Sequence, residues 1–410
     1  MDSNIKKGVL FTLFSCFNSG INFLLLLILA KFLSPSDYGL LSLFTTVITL
    51  LNIVISLNTT GFFSIEYFKV NKEEHSKIII SIFVLCFFVF LCLNPILYVV
   101  SLLLPLSIKL TYTDFFLALL ICLVQVISYI NLEIWRLEEK VILYGIYSML
   151  NAAINMALSI YLITSFDVGW LGRVYANLIV SIFFSLLSIY ILIRYRYLTN
   201  NASFDLKCIK ELLKFGIPLI PHDASSWIRQ GLDRYIIAYF YSSTDVGLFS
   251  FAFNFANIIH IVGSAFNKIN SVHIFKELSD IKSTSSKMLK RQSLVLITIF
   301  LAIFIIVYIG IIIVVPAFFI EYNGALKFLF PLCISALFQS IYYIYVNYLF
   351  FYKKTMRLMF ITTLMSLLHV LLSLLLTQYS VLNAAYVTLF VNAMITFLVY
   401  KNSIKLIGLK

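Results

Sequence analysis

The chain contains very few charged residues for its length. Of its 410 residues only 12% are Asp, Glu, Lys or Arg, whereas 61% are hydrophobic. A soluble domain carries about 25% charged residues, which keep its surface hydrated. A chain with this little charge has too few polar side chains to cover itself in water. A soluble globular protein is therefore excluded, and an integral membrane protein is predicted.

Signals for metals, nucleotides and redox chemistry are also missing. The six cysteines show no CxxC pattern and no Cys/His spacing typical of a metal site. No G-x-x-x-x-G-K-[ST] loop is present, so ATP hydrolysis by this chain is not expected. The net charge of +12 would suit nucleic acid in a soluble protein, but here membrane topology explains it. We expect no cofactor, no metal, no nucleic-acid partner and no catalytic residue.

Long apolar runs predict an all-α protein with twelve membrane-spanning helices. A helix needs about 20 apolar residues to cross a bilayer. The first run is longer than a signal-peptide core and has no obvious cleavage site, so we interpret it as a retained helix. The predicted spans are residues 9–30, 39–63, 78–103, 115–135, 143–164, 170–193, 213–240, 246–267, 293–317, 325–350, 357–377 and 381–401.

The positions of the basic residues predict the orientation of these spans. If the N-terminus is cytoplasmic, only Lys31, Lys109 and Arg173 of the 30 Lys and Arg residues lie at outer ends. A few others lie within spans, and the rest lie at cytoplasmic ends. This bias is the positive-inside rule, and it predicts that both termini are cytoplasmic. The basic connection 268–292 is partly amphipathic and is predicted to lie along the inner leaflet.

The two halves of the chain contain an internal repeat. "ILAKFLSPSDYGLLSL" (28–43) matches "IIAYFYSSTDVGLFSF" (236–251), and both copies join an odd span to an even span on the outer side. The halves therefore have the same orientation, which predicts an N-terminal six-helix bundle over 1–200 and a C-terminal one over 201–410. Parallel repeats of this kind are typical of transporters, whose substrate sites lie between the halves.

The shared Ser-x-x-Asp-x-Gly of the repeat has a local explanation. Ser and Asp side chains bond the backbone of tight turns and helix starts, and Gly accepts a positive φ. We interpret both copies as structural hairpins between paired helices, with direct contact to substrate as the alternative.

The layout and two motifs resemble a known family. Twelve spans, cytoplasmic termini, "LAKFLSPSDYGLLSL" and "KFGIPLIPHDASSWIRQGLDRYIIAYFYSSTDVGLFSFA" resemble Wzx-type polysaccharide flippases of the multidrug/oligosaccharidyl-lipid/polysaccharide exporter superfamily. The resemblance implies two six-helix bundles around a central cavity that opens alternately inward and outward. It also implies a substrate of undecaprenyl-pyrophosphate-linked oligosaccharide, an O-antigen or capsule repeat unit, moved to the outer leaflet of a bacterial inner membrane. The implied partners are this lipid-linked substrate, membrane lipids and other polysaccharide assembly proteins.

The seventh predicted span is unusually polar. At about 100° per residue, its polar side chains share one face of a helix, which should therefore look into protein or a watery cavity. Two prolines, Pro218 and Pro221, lie at its entry; we expect a kink there, with simple helix initiation as the alternative. The candidate cavity residues on this span are His222, Asp223, Arg229, Gln230, Asp233 and Arg234.

Arg229 and Asp233 have two interpretations. They are four residues apart and can pair along the helix as a structural ion pair. Alternatively, Arg229 and Arg234 bind an anionic pyrophosphate or acidic sugar, because the guanidinium fork matches phosphate oxygens. Both interpretations stay open on the sequence alone.

Polar residues elsewhere complete the candidate site. The repeat aligns Asn18 and Asn22 of span one with polar positions of span seven, so both are candidate cavity residues. Lys327 near the outer end of span ten is a further candidate, with snorkelling to the surface as the alternative. Asn155 is expected to join helices, and His369 is expected to be a hydrogen-bonded packing residue.

Two energy sources and several rival functions remain open. The membrane potential favours outward movement of a negative charge, and proton coupling through Asp223, Asp233 or His222 is the alternative. A multidrug or small-metabolite antiporter of the same superfamily is the main rival function, and a lipid II flippase is a related one. A major-facilitator sugar transporter and a membrane polysaccharide polymerase or ligase are remote alternatives, since neither the former's loop motif nor the latter's large outer loop is present.

Overall fold

The computed structural model describes residues 3–199, 203–279 and 286–407, and every regular element in these ranges is helical. We number the α-helices in chain order and leave three short 3-10 turns unnumbered. Their bounds are α1 Ser3–Phe32, α2 Pro35–Ser56, α3 Thr59–Glu66, α4 Lys72–Leu103, α5 Tyr112–Leu137, α6 Val141–Phe166, α7 Leu171–Arg194, α8 Leu206–Gly216, α9 Ile220–Phe240, α10 Ser243–Ser279, α11 Ser286–Phe318, α12 Leu326–Phe351, α13 Thr355–Thr377 and α14 Val381–Ile407.

Ten helical segments in the described ranges are long and apolar enough to cross a membrane. They coincide with ten of the twelve predicted spans, and the prediction of an all-α integral membrane protein is confirmed. The other two predicted spans also form helices. In α1 the apolar segment is the shorter Gly20–Phe32, and α9 contains the ionisable residues of span seven. That α1 and α9 cross the membrane stays a prediction.

The structure bears on two local predictions. Pro218 lies in the 3-10 turn that directly follows α8, and Pro221 is the second residue of α9, so both prolines lie at the start of α9, where a kink stays a prediction. Proline suits the first turn of a helix, where its missing N–H has no intrahelical partner. Residues 268–279 continue α10 and do not form a separate surface element, whereas residues 280–285 lie outside the described residues.

Contacts divide the chain into two compact units. The first comprises Met1–Leu33 and Leu40–Trp227, and the second comprises Ser34–Gly39 and Ile228–Lys410. We call them the first unit and the second unit. The division into bundles 1–200 and 201–410, inferred from the repeat, stays a prediction.

Buried aromatic residues hold the first unit together around α5, α6 and α7. Trp135, Tyr147, Val180 and Phe184 form one buried cluster. The Tyr147 hydroxyl lies 2.8 Å from the Phe184 carbonyl oxygen and 2.7 Å from Ser188 Oγ. Its polar end is therefore satisfied while its ring is buried, as a buried tyrosine requires.

Small residues allow close helix packing in the second unit. Gly263 of α10 lies against Ser340 of α12, because a Cβ at Gly263 would come within 2.3 Å of Ser340 Oγ. That hydroxyl lies 3.1 Å from the Ile259 carbonyl oxygen. Small side chains and hydroxyls at such interfaces are typical of helices packed in lipid.

The two repeat turns have the predicted capping geometry. Ser34 Oγ donates to Asp37 Oδ2 at 3.1 Å, and Ser242 Oγ donates to Asp245 Oδ2 at 2.6 Å. The backbone N–H of each Asp lies 3.1–3.2 Å from the Ser hydroxyl of its own turn. The structural interpretation of these turns is therefore supported by their hydrogen bonds.

The glycines of the same turns serve a purpose different from the predicted one. Gly39 and Gly247 lie within helices α2 and α10 and have no positive φ. Instead, the two turns pack on each other inside the second unit. A Cβ at Gly39 would lie 1.9 Å from the Ser243 carbonyl oxygen, and one at Gly247 would lie 1.8 Å from the Pro35 carbonyl oxygen. Glycine is required here by close backbone approach.

A polar cluster at the end of α5 joins three connections of the first unit. Lys140 Nζ lies 2.8 Å from Glu138 Oε2, and the Tyr197 hydroxyl donates to Glu138 Oε1. The Tyr67 hydroxyl lies 3.1 Å from that of Tyr197. Burial alone would raise the pKa of the Glu138 carboxyl, but the bonds from Lys140 and Tyr197 outweigh burial and lower the pKa below its ordinary 4.5.

Glu138→Gln is expected to destabilise the protein by about 1 kcal/mol at pH 7, because bonds to an ionised group are replaced by weaker ones. A carboxyl whose pKa is lowered by folding stabilises the fold above its unfolded pKa, and this contribution is lost as the pH falls through the folded pKa. The difference between wild type and variant should therefore shrink below about pH 4.5. Thermal unfolding of both proteins in detergent at pH 7 and pH 4 measures this difference in stability. Exposed Glu74→Gln is the control, and an equal loss at both pH values would contradict the explanation.

Candidate functional site

The polar face of α9 in the second unit packs against α13. Arg229 Nη1 donates to the Thr362 carbonyl oxygen at 3.2 Å and to the Ser366 hydroxyl. Arg229 is partly buried, and its other guanidinium nitrogens have no partner among the described residues. A guanidinium has five N–H donors, so Arg229 keeps donors for a ligand.

Asp233, one turn further along α9, is buried in a closed set of hydrogen bonds. Its carboxylate is only 4% exposed. His369 Nε2 lies 3.1 Å from both carboxylate oxygens, Ser373 Oγ donates at 2.8 Å and Thr388 Oγ1 donates at 2.7 Å. A buried carboxylate needs such compensation, since removing a charge from water costs several kcal/mol. Asp233 therefore links α9 to both α13 and α14.

Of the two interpretations of Arg229 and Asp233, the ion pair along α9 is not formed, because each side chain bonds to other helices. Arg229 binds α13 at Thr362 and Ser366, while Asp233 binds the same helix about two turns further on. The Thr362 carbonyl and the Ser366 hydroxyl of α13 accept from Arg229, and His369 and Ser373, further along the same helix, bond to Asp233. Neither side chain has to bend along its own helix to find a partner.

Arg234 lies on a different side of α9 from Arg229. It is 6% exposed, its Nη1 donates to the Gln230 carbonyl oxygen, and its Cζ lies 4.6 Å from the centroid of the Phe253 ring. Such a cation–π contact stabilises a desolvated guanidinium. Arg234 is thus enclosed by the second unit, whereas the Gln230 side chain is exposed.

The remaining candidate residues are distributed over both units. His222 is exposed, and Asp223 accepts a hydrogen bond from Asn58 Nδ2 at 3.0 Å within the first unit. Asn22 is exposed, and Asn18 Oδ1 is buried without a hydrogen-bond partner among the described residues.

Lys327 lies at the start of α12 in the second unit. It is exposed and its Nζ lies 4.9 Å from the Phe328 ring centroid. Of the nine predicted cavity residues, four lie on α9 within the second unit, which are Arg229, Gln230, Asp233 and Arg234, but they do not share one set of partners.

Sequence reasoning missed the partners of Asp233. His369 is hydrogen-bonded, as expected, but its partner is the one buried carboxylate of span seven. Ser373 and Thr388 were not singled out at all. The available signal was the spacing of His369 and Ser373, which are four residues apart and therefore share one face of α13.

A second polar cluster lies within the first unit. Arg173 Nη1 donates to Asn155 Oδ1 and to Ser159 Oγ at 3.1 Å. Asn155 Nδ2 in turn donates to Asn177 Oδ1 at 3.2 Å, so Asn155 joins α6 to α7 as predicted. Gln125 Nε2 of α5 lies 3.5 Å from Asn177 Oδ1. Arg173 is the third residue of α7, so it lies at the end of the span that is predicted to be the outer one.

Comparison with solved structures defines the class of fold. The chain superposes on an inward-facing multidrug resistance MATE family transporter of the MOP superfamily with a TM-score of 0.74, at 14% identity, covering 96% of this chain and 95% of that one. It superposes on the lipid II flippase MurJ in an inward closed conformation with a TM-score of 0.76, at 15% identity, covering 97% of this chain and 87% of that one. The protein therefore has the helical transporter fold that these two proteins share.

Comparison of sequences defines the family. Residues 5–269 match the family model described as polysaccharide biosynthesis protein, so the chain belongs to that family. An uncharacterized membrane protein of Haemophilus influenzae is 28% identical over 257 residues, which is 60% of this chain and 61% of that protein. The match thus spans less than two thirds of this relative. Family and fold together define a multi-pass membrane protein of the polysaccharide biosynthesis family with the fold of a transporter.

Proposed function

We propose that the protein moves an undecaprenyl-pyrophosphate-linked oligosaccharide, the repeat unit of an O-antigen or capsule, from the cytoplasmic to the outer leaflet of a bacterial inner membrane. The observation that carries this proposal is the match of residues 5–269 to the polysaccharide biosynthesis family in a chain with a transporter fold. Transport requires two bundles, 1–200 and 201–410, that open a central cavity alternately to each side. Both termini are cytoplasmic in this scheme.

Arg229 is the residue best suited to bind the pyrophosphate. It is partly exposed, is fixed to α13 through one nitrogen and keeps donors on the others. A guanidinium matches two phosphate oxygens at once, which an ammonium group cannot do. Arg234 contributes positive charge from inside the second unit but is enclosed by its own contacts.

Two forces would drive outward movement. Moving one negative charge outward across an inside-negative membrane releases about 2.3 kcal/mol per 100 mV, which acts directly on a pyrophosphate. Of the three candidate proton carriers, Asp233 is the best supported, because it is buried against His369. Asp223 is bonded to an amide, and His222 is exposed. A proton taken up between Asp233 and His369 would change the charge of this site and hence the packing of α9 on α13.

A small-molecule antiporter is the rival function. The multidrug transporter and the lipid II flippase share the fold about equally well with this chain. The polysaccharide biosynthesis family match favours the lipid-linked sugar. In this scheme the chain is not an enzyme, and the flipped product passes to other polysaccharide assembly proteins at the outer leaflet.

Arg229→Ala is expected to leave lipid-linked oligosaccharide on the inner leaflet, with at least about a tenfold loss of outward turnover, because one charge-assisted contact to phosphate contributes about 1.5–3 kcal/mol. Cells that depend on the variant are assayed for the leaflet position of the lipid-linked sugar at matched membrane levels of protein. Arg194→Ala, an exposed residue at the end of α7, is the control. Normal turnover in Arg229→Ala would remove this residue from the site.

A further inference from the structure

Arg173 of the first unit carries a charge that the described residues do not balance. Its hydrogen-bond partners, Asn155 and Ser159, are both neutral, and no carboxylate in the described part of the chain lies within ion-pair distance of it. Its side chain is partly buried in a segment long and apolar enough to cross a membrane. Charged groups at such positions are costly and are normally paired with an opposite charge.

The position of Arg173 in α7 adds to the positive potential. It is the third residue of a helix that begins at Leu171. The N-terminal end of a helix carries partial positive charge, which repels a cation and attracts an anion. The guanidinium and the helix end would both be stabilised by a bound oxyanion.

Polar groups of three helices extend from Arg173. Asn155, which bonds to Arg173, also donates from Nδ2 to Asn177 Oδ1 at 3.2 Å. Gln125 Nε2 lies 3.5 Å from the same Asn177 oxygen. The Tyr129 hydroxyl donates to Gln125 Oε1 at 3.0 Å, and Tyr129 is 42% exposed. Amides and a phenol next to a guanidinium are groups that hydrogen-bond sugar hydroxyls and oxyanions. At membrane depth, polar groups of this kind face protein or a water-filled space and not lipid.

The same positions of the second unit contain a site of opposite charge. Helix α6 begins at residue 141 and α13 at residue 355, so Asn155 and Ser159 occupy the same helix positions as His369 and Ser373. In the second unit this pair holds the carboxylate of Asp233. In the first unit the pair holds a guanidinium. The repeat therefore provides one anionic site and one cationic site from the same helix positions.

We infer that Arg173, with Asn155, Ser159 and Asn177, forms an oxyanion-binding subsite in the first unit that holds a phosphate or carboxylate group of the transported molecule. This inference rests on the proposed function. The oxyanion has two possible sources, the pyrophosphate of the lipid or a carboxylate of an acidic sugar. On the proposed topology, α7 begins at the outer side, so this subsite binds the head group in the outer half of the transport path.

The experiment measures ligand binding by the full chain in nanodiscs through tryptophan fluorescence. The probes are undecaprenyl pyrophosphate without sugar, and a soluble oligosaccharide with glucuronate beside its neutral counterpart. Arg173→Gln is expected to weaken binding of the anionic probe at least tenfold. Arg357→Gln is the matched control, because Arg357 also donates to an asparagine, Asn402, at 3.2 Å but is exposed.

A second variant covers the case in which Arg173→Gln fails to fold. Asn177→Asp places a carboxylate four residues from Arg173 on the same helix, where the two can pair. It is expected to raise the melting temperature and to weaken binding of the anionic probe at least tenfold. If the variants bind only the pyrophosphate lipid more weakly, the site binds the lipid head group. If they bind only the glucuronate oligosaccharide more weakly, the site binds the sugar.

Wild-type affinity for both anionic probes in Arg173→Gln or in Asn177→Asp would overturn the subsite. A wild-type chain that binds neither anionic probe would overturn it as well. Neither of these results touches the proposed function, which fails only if the wild-type chain moves no lipid-linked oligosaccharide. The binding measurement and the transport measurement thus separate the two failures.

Discussion

Asp233→Asn is expected to abolish transport and to destabilise the second unit by about 3 kcal/mol, since each buried donor left without its acceptor costs about 1–3 kcal/mol. The carboxylate accepts bonds from His369, Ser373 and Thr388. An asparagine has the same shape but only one accepting oxygen, so one or more of these donors would face an NH₂ group. The contact that holds α9 to both α13 and α14 would be lost together with the proposed proton-binding group.

The rate of transport by this variant should fall at least about 100-fold, which corresponds to a rise of about 2.7 kcal/mol in the free-energy barrier to transport. It is measured as leaflet turnover, beside thermal unfolding of the purified chain. The control is Asp167→Asn, which changes an exposed carboxylate outside the candidate site. Asp233→Asn that folds and transports like the wild type would show that this carboxylate neither binds a proton nor positions α9.

Gly247→Ala is expected to destabilise the protein by about 3 kcal/mol or more, at the upper end of the range for overpacked sites. The new Cβ would lie 1.8 Å from the Pro35 carbonyl oxygen and 3.1 Å from the Gly39 backbone N. These are backbone atoms at the starts of two helices, so no side chain can rotate away. The Ser36 and Ser243 hydroxyls, 2.7 Å apart in the same contact, would be pushed apart.

The melting temperature in detergent and the yield of inserted protein measure this effect. Gly310→Ala is the control, because among the described residues nothing beyond the neighbouring backbone of its own helix lies within 4 Å of an added Cβ. There the loss of a helical glycine should be neutral or stabilising by up to about 1 kcal/mol. A Gly247→Ala protein with the wild-type melting temperature would show that the two turns do not pack as described.

The helices were predictable from the sequence because their cause is local. Apolar length sets the spans, and the Ser-x-x-Asp turns set the starts of α2 and α10 through bonds to nearby backbone. The polar face of α9 was predictable for the same reason, since helical periodicity alone places Arg229 and Asp233 on one side.

The partners of those residues were not predictable, because they come from other helices. Periodicity allowed a pair between Arg229 and Asp233, whereas packing supplied His369 and Thr388 from distant parts of the chain as the partners of Asp233. Gly39 was explained by backbone dihedrals, although close approach to residue 243 is its cause. The predicted start of span six, residue 170, lies one residue before the start of α7, but the partners of Arg173 on α6 could not be predicted, because they come from another helix.

One measurement tests the central proposal most directly. The purified wild-type chain is reconstituted into proteoliposomes with undecaprenyl-pyrophosphate-linked oligosaccharide, and the fraction of sugar accessible on each leaflet is followed with time. A parallel set of vesicles contains a small cationic dye. The proposal predicts that the lipid-linked sugar changes leaflet only in vesicles with the protein, while the dye stays inside. Dye export with no movement of the lipid-linked sugar would contradict the proposal and establish a small-molecule exporter.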